Sequence, residues 1–358
     1  MSPTAQELRA KKKVAIQIPP HARAGSVAER YGFELEALAP IADLVEVRSG
    51  SPQEFIEGAR DADAVITSWG IRIDSQIIAG LERCVVIGCA SVGVDMIDVD
   101  AATEAGIVVT NVPDVFIEEV ADHALMLLLA AGRRAKLMDE LIKSGEWFKG
   151  RAVLSDVPRV MGQTLGLIAF GNVARCVARR AKPFGWQVIA HDPYISELAI
   201  SAEGVEPVSM PELLQRSDYI SMHAPLNAET RHLLSTKEFA AMKPNAVVVN
   251  TGRGPTIDER ALIDALQRGK IAAAGLDVLE QEPPAPDNPL LSMANVILSP
   301  HVASASTRMR PETRRRAGRE VALVLKGRWP MSCVNPTVLP RTNLERWQPY
   351  PMTRGPNR

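Results

Sequence analysis

The chain has 358 residues, with 41 lysines and arginines against 42 aspartates and glutamates, a formal charge of -1, 46% apolar and 23% charged residues. That composition excludes a largely disordered chain, and the length allows two domains with cores of their own. The cations are spread along the sequence rather than gathered, which argues against nucleic acid or an anionic membrane as partner.

At the N-terminus, "MSPTAQELRAKKK" has no apolar leader segment, and the longest apolar run, Ala124 to Gly132, is too short to span a bilayer. The four cysteines, Cys84, Cys89, Cys176 and Cys333, form no CxxC pair and no metal-ligand spacing with histidine. Reduced thiols, a cytoplasmic location and no metal site are expected.

Five short β-branched runs, "KVAIQI", "LVEVR", "AVITS", "VVIGCA" and "IVVTN", fill the first third of the chain, with amphipathic stretches between them. Six more follow: "TLGLIAF", "QVIAHD", "YISMHA", "AVVVNT", "AAAGLDV" and "NVILSP". The alternation predicts an α/β protein of two doubly wound, Rossmann-like domains, each on a parallel sheet, with a cleft between them. Between the two series, residues 114–145 read as one long helix capped by Asp114 that crosses from one domain to the other. A helical pattern after His301 returns the chain to the first domain, with Arg314 to Arg316 on a solvated face. The expected division is residues 1–111 with 301–335 as a discontinuous first domain and 112–300 as the second. Residues 336–358, proline-rich and without periodicity, read as an extended or disordered tail.

The turn after "TLGLI" has the rhythm of the dinucleotide fingerprint G-x-G-x-x-G, but Ala169 and Ala174 replace its first and third glycines. Gly171 keeps the second, the position where backbone approaches a pyrophosphate, and the following helix offers free N–H groups to phosphate. Ala169 and Ala174 read as tolerated packing changes. Asp192 ends the next strand 21 residues beyond Gly171, where a carboxylate accepts hydrogen bonds from ribose hydroxyls and repels a 2′-phosphate. With no arginine directly after it, NAD is favoured over NADP.

Three polar residues follow later strands: Arg253, Glu282 and His301. An arginine can hold a substrate carboxylate and carbonyl through its planar fork. A histidine can protonate a carbonyl oxygen as hydride arrives, and a carboxylate beside it fixes its tautomer. Together they suggest a hydride-transfer site.

The motifs "MHAPLNAETRHLL", "MKPNAVVVNTGRG", "GLDVLEQEPP" and "LSPHVAS", in that order, resemble the D-isomer-specific 2-hydroxyacid dehydrogenases, a family that includes phosphoglycerate dehydrogenases, glyoxylate reductases and the C-terminal-binding-protein corepressors. The resemblance covers Lys13 to Pro336 and carries the same discontinuous domain. It implies that Arg253 binds substrate, that His301 is the acid/base and that Glu282 is its partner. It implies NAD contacts from Asn172, Val173, Asp192, Pro225, Thr230, Thr251, Gly252, Arg253 and Asp277. In "ASVGVDMID" it implies a substrate loop whose backbone at Ser91, Val92 and Gly93 binds a carboxylate. Cys89 stands where the phosphoglycerate enzymes tend to carry arginine, which argues against a phosphorylated substrate, and Glu282 stands where the formate enzymes carry glutamine.

The function expected is NAD-dependent interconversion of a 2-keto acid and a D-2-hydroxy acid, by a homodimer that pairs through the long helical region. The alternative is an NAD(H)-sensing scaffold of the corepressor kind. Trp69 and Arg72 are candidates for the cleft wall. His123, His223 and His232 stand away from the acid/base position and read as structural.

Overall fold

The computed structural model describes residues 11–20, 26–67 and 70–347. The chain divides into two compact units, Met1–Val115 with Thr307–Arg358, and Phe116–Ser306. Each crossing falls a few residues later than the boundaries expected from the sequence.

In the first unit, β1 (Lys12–Ile18), β2 (Ala42–Arg48), β3 (Ala64–Thr67), β4 (Val86–Cys89) and β5 (Val108–Thr110) form a parallel sheet in the order β2-β1-β3-β4-β5. Successive residues of a strand face opposite sides. Ala15, Val65, Ile87 and Val109 thus enter one core, and Val14, Ala64, Val86 and Val108 the other. Burial on both faces explains why β3, β4 and β5 do not alternate, whereas the edge strand β2 does. Helix Met309–Leu325 closes the second core with Val321, Ala322 and Val324.

The basic cluster on that helix is not merely solvated. Arg314 pairs with the buried Glu34 at 2.5 Å and lies over the Tyr31 ring, and Arg315 pairs with Glu36 at 2.9 Å. The acids of helix Gly32–Leu38 draw the guanidinium groups onto the protein. The tail departs from the extended arm expected: Pro336–Arg341 is a 3-10 helix that buries Val338 and Leu339 in the second core, and Arg328 bridges to Glu345. The two apolar side chains supply what the lack of periodicity hid. Residues 348–358, like Trp69, lie outside the described residues; Arg72 is exposed.

The second unit has seven parallel strands: β6 (Thr164–Ile168), β7 (Gln187–His191), β8 (Glu206–Pro207), β9 (Tyr219–Met222), β10 (Val247–Asn250), β11 (Ala273–Leu276) and β12 (Val296–Leu298). Their order is β12-β11-β10-β9-β6-β7-β8. The winding reverses at β6, with β7 on one side and β9 on the other, which puts a topological switch point at the carboxyl ends of β6 and β9.

The expected single long helix is two. Helix α1 (Ile117–Gly132) ends before Arg134, which adopts a left-handed φ of 53°, and α2 (Ala135–Lys143) follows. Arg134 is held there by a two-pronged pair to Asp156, at 3.0 and 2.9 Å. Asp114 does not cap α1 but lies 3.5 Å from Arg316. Helix α1 lies wholly in the second unit and buries Ala121, Ala124, Leu127 and Leu128 against β6 and β10 residues.

Candidate active site

Helix α3 (Asn172–Ala181) begins directly after β6, with Gly171 at its N-cap and no side chain capping its first amides. A Cβ placed on Gly171 would meet no protein atom within 4 Å. The protein itself therefore makes no demand for glycine here; the open space beside free helix-terminal amides suits an anion. Ala174 is fully buried in α3, as a packing position should be. Ala169 is different, because it adopts φ 67°, where a Cβ is strained. It is a backbone compromise rather than a packing change alone.

Asp192 joins the turn to the next strand end: it accepts from Phe170 N at 2.8 Å and from Tyr194 N at 2.8 Å. The loop after β9 is tied by Thr230, whose hydroxyl donates to Pro225 O at 2.5 Å and accepts from Asn227 N at 2.9 Å. Thr230 is thus largely committed to its own loop. Two further groups lie at these strand ends without partners, the buried Thr251 Oγ1 and His223 Nε2. Burial pushes His223 down to about 4, so the ring is neutral.

After β10, Asn250 organises the turn: its amide donates to Arg253 O at 2.9 Å and its oxygen accepts from Gly252 N at 2.9 Å. Arg253 Nη1 donates to Gly252 O at 2.9 Å. Gly254 packs so closely that a Cβ would lie 1.8 Å from the Leu279 carbonyl oxygen. The turn bearing Arg253 is therefore pressed onto the segment leading to Glu282.

His301 Nδ1 lies 2.7 Å from Glu282 Oε2, and Glu282 Oε1 accepts from Leu279 N at 3.0 Å. Burial alone would raise the Glu282 carboxyl, but the hydrogen bonds from His301 and Leu279 and the charges of His301 and Arg253 outweigh it and hold it below its ordinary value. An ionised carboxylate only accepts, so Nδ1 carries the proton. That leaves Nε2 as the nitrogen able to give or take one. His301 itself stands at a left-handed φ of 53°.

Asp277, read as a cofactor contact, has its side chain fully enclosed. Its carboxylate accepts from Ser299 Oγ at 2.6 Å, Val302 N at 3.0 Å and Ala303 N at 2.8 Å. It thus holds the His301 loop instead of presenting oxygens outward. His123 joins this cluster, 2.8 Å from Ser299 Oγ. Sequence reading left His123 as structural and missed Ser299 altogether; 176 positions separate the two, and no local spacing links them.

In the first unit, the segment after β4 carries Ser91, Val92 and Gly93. Their carbonyls are taken by Val112 N at 3.0 Å, Asn111 Nδ2 at 2.7 Å and Ser91 Oγ at 2.7 Å. Among the described residues their three amide N–H groups have no acceptor. Such a row of free amides suits a carboxylate. Cys89 Sγ contacts Ser91 Oγ at 3.1 Å.

Residues 125–303 match the family model of the D-isomer specific 2-hydroxyacid dehydrogenase, NAD binding domain. A D-3-phosphoglycerate dehydrogenase of Methanocaldococcus jannaschii is 38% identical over 94% of this chain and 62% of its own length. A glyoxylate reductase of Korarchaeum cryptofilum is 39% identical over 81% of this chain and 87% of its own. The chain belongs to the D-isomer specific 2-hydroxyacid dehydrogenases. This chain therefore spans under two thirds of the first relative and most of the second. A solved D-lactate dehydrogenase from Aquifex aeolicus, complexed with NAD and lactic acid, superposes with a TM-score of 0.76 at 28% identity, covering 88% of this chain and 96% of that one. The family is one of NAD(P)-dependent oxidoreductases acting on CH–OH groups, and the two parallel sheets described above are its architecture. Among the described residues, no helix is long and apolar enough to cross a membrane.

Proposed function

We propose that this member of the family uses NAD to interconvert a small 2-keto acid and the corresponding D-2-hydroxy acid. The observation that carries the reading is the 2.7 Å contact of His301 with an ionised Glu282 at the end of the sheet that also holds the Gly171 turn. The open space at Gly171, the free α3 amides and the unpartnered Thr251 hydroxyl fit a dinucleotide, with Asn172, Val173 and Gly252 along its path and Asp192 on its ribose. When bound, its nicotinamide supplies or accepts the hydride.

Arg253 would hold the substrate by its carboxylate and carbonyl through its planar fork; the amides of Ser91, Val92 and Gly93 in the first unit suit a carboxylate. As the carbonyl carbon is reduced, His301 gives the proton on Nε2 to the forming alkoxide; in oxidation the neutral ring takes it back. Glu282 stabilises the imidazolium and keeps Nδ1 protonated. Positioned groups of this kind are commonly worth on the order of a hundredfold to a thousandfold in rate. Cys89 near the substrate loop, rather than a cation, favours an unphosphorylated acid. The buried cysteines Cys84, Cys89 and Cys176, none in a disulfide, support a cytoplasmic protein, and exposed aromatic groups support a homodimer.

A panel of 2-keto acids with NADH and NADPH tests the reading. Turnover is expected with at least one acid, with NADH bound more tightly than NADPH, the gap narrowing in Asp192→Ala. His301→Ala should abolish most turnover while NADH still binds. No turnover above the His301→Ala background, with tight NADH binding, would replace the enzyme with the sensing scaffold.

A further inference from the structure

Asp277 stands at the end of β11 with its carboxylate sealed from solvent, and residues 299–303 are wrapped around it. Ser299 Oγ and Val302 N share Oδ1, Ala303 N takes Oδ2, and the Asp277 carbonyl accepts from His301 N at 2.8 Å. His301 keeps its left-handed φ of 53° inside this wrap. A non-glycine residue persists in that conformation only where its surroundings over-determine it. The wrap is thus what fixes the direction of the imidazole.

A buried carboxylate also needs compensation, or the loop that covers it is drawn open. His123 on α1 supplies it from outside the loop. The proton count assigns the roles: Ser299 spends its single proton on Asp277, so Ser299 Oγ can only accept from His123, and Nε2 of His123 must carry hydrogen. The same N–H leans toward Asp277 Oδ1 at 3.4 Å. Helix α1 is anchored through Ala121, Ala124, Leu127 and Leu128, so this donor is fixed by the core rather than by the loop.

We propose that His123 is a positioning residue for the acid/base loop: its Nε2–H, relayed by Ser299 to Asp277, holds His301 in its left-handed backbone from helix α1. The inference rests on the reading of His301 as the acid/base. His123 does not touch the reacting atoms; without it, Ser299 is free to turn from the carboxylate and the loop gains alternative arrangements.

The test uses the full chain with NADH and whichever 2-keto acid it reduces. His123→Leu fills the space without a donor, His123→Gln returns an N–H, and Ser299→Ala removes the relay. His123→Leu is expected to lower kcat on the order of tenfold to a hundredfold, the scale of a small misplacement of a reacting group. NADH affinity should change less than threefold, and His123→Gln should recover most of the rate. Ser299→Ala should lose a similar factor, and the double variant should lose little more than either single one, because both break one relay. If His123→Leu does not fold, Ser299→Ala and His123→Gln decide the matter by the same criteria. Wild-type kcat in the variants, multiplicative losses in the double variant, or a fall in rate matched by lost NADH binding would overturn the proposal. His301→Ala serves as the separate control: wild-type turnover in that variant would refute the acid/base reading itself, whereas its inactivity beside an unaffected His123→Leu would refute only the relay.

Discussion

Ala169 and Gly171 divide between them what a single glycine motif would combine. Gly171 leaves room for a ligand, whereas Ala169 carries a Cβ at φ 67°. A left-handed alanine costs roughly 1–2 kcal/mol, and glycine returns about 0.4–1 kcal/mol of that to the flexibility of the unfolded chain. The strain term is the larger. Ala169→Gly is therefore expected to stabilise the second unit by about 0.5–1 kcal/mol, raising its melting temperature by roughly 2 °C, with NADH affinity unchanged. Calorimetry showing a lower melting temperature would contradict this. His223 makes a pH-dependent contribution at the same scale. Its imidazole is pushed from 6.5 down to about 4 by burial, so between these values the unfolded chain binds a proton that the folded chain refuses. Stability must then rise with pH across that interval and decline on acidification from about 6.5 toward about 4. Glu118, held near 2 by Arg179 and Arg180, adds a loss of its own from its ordinary value of 4.5 downward, so it overlaps the His223 interval only at its acid end. Melting curves should show the decline in the wild type and a flatter profile in His223→Gln.

At the scale of elements, the site depends on loops pressed together backbone to backbone. Gly254 is the contact: a Cβ there would lie 1.8 Å from Leu279 O and 2.0 Å from Leu279 C, neither of which can rotate away. Gly254→Ala should cost at least about 2 kcal/mol by overpacking and should also weaken substrate binding, because the turn carrying Arg253 must shift. Full stability by denaturant titration would show that the two loops part freely. The elements were unequally legible in the sequence. All eleven apolar runs are strands: inner strands such as β6, β9, β10 and β11 are buried on both faces and write a dense signal into a few residues, whereas the edge strand β2 alternates buried and exposed ones. Strand β8 was missed, since Glu206–Pro207 is two residues long and pairs only at an edge. The break between α1 and α2 was missed because Arg134 has no backbone preference that announces φ 53°; a distant carboxylate, Asp156, holds it there. In the same way Arg253, Glu282 and His301 were readable from their places after strands, while His123 and Ser299 meet only when α1 packs on the sheet.

For the molecule as a whole, the segment following α2 poses the remaining physical problem. In the 3-10 helix Trp147–Lys149, Trp147 is 70% and Phe148 95% exposed, and Met126, Ile142 and Met161 are exposed in the same unit. Isolated apolar side chains on a surface need no explanation, but two adjacent aromatic residues this bare are costly to keep in water and typical of interface anchors. Their burial against a second copy would remove that cost, and among the described residues nothing covers them. Wild-type protein at micromolar concentration is therefore expected to scatter light with twice the chain mass. Trp147→Ser with Phe148→Asp should give the single-chain mass, since a charge placed in a symmetric interface meets its own copy's contacts twice. The second unit should keep its melting temperature in this variant at concentrations where both forms are monomeric. A wild-type chain that remains monomeric throughout the micromolar range would mean that the aromatic pair serves some other contact and that the proposed active site is complete in one copy.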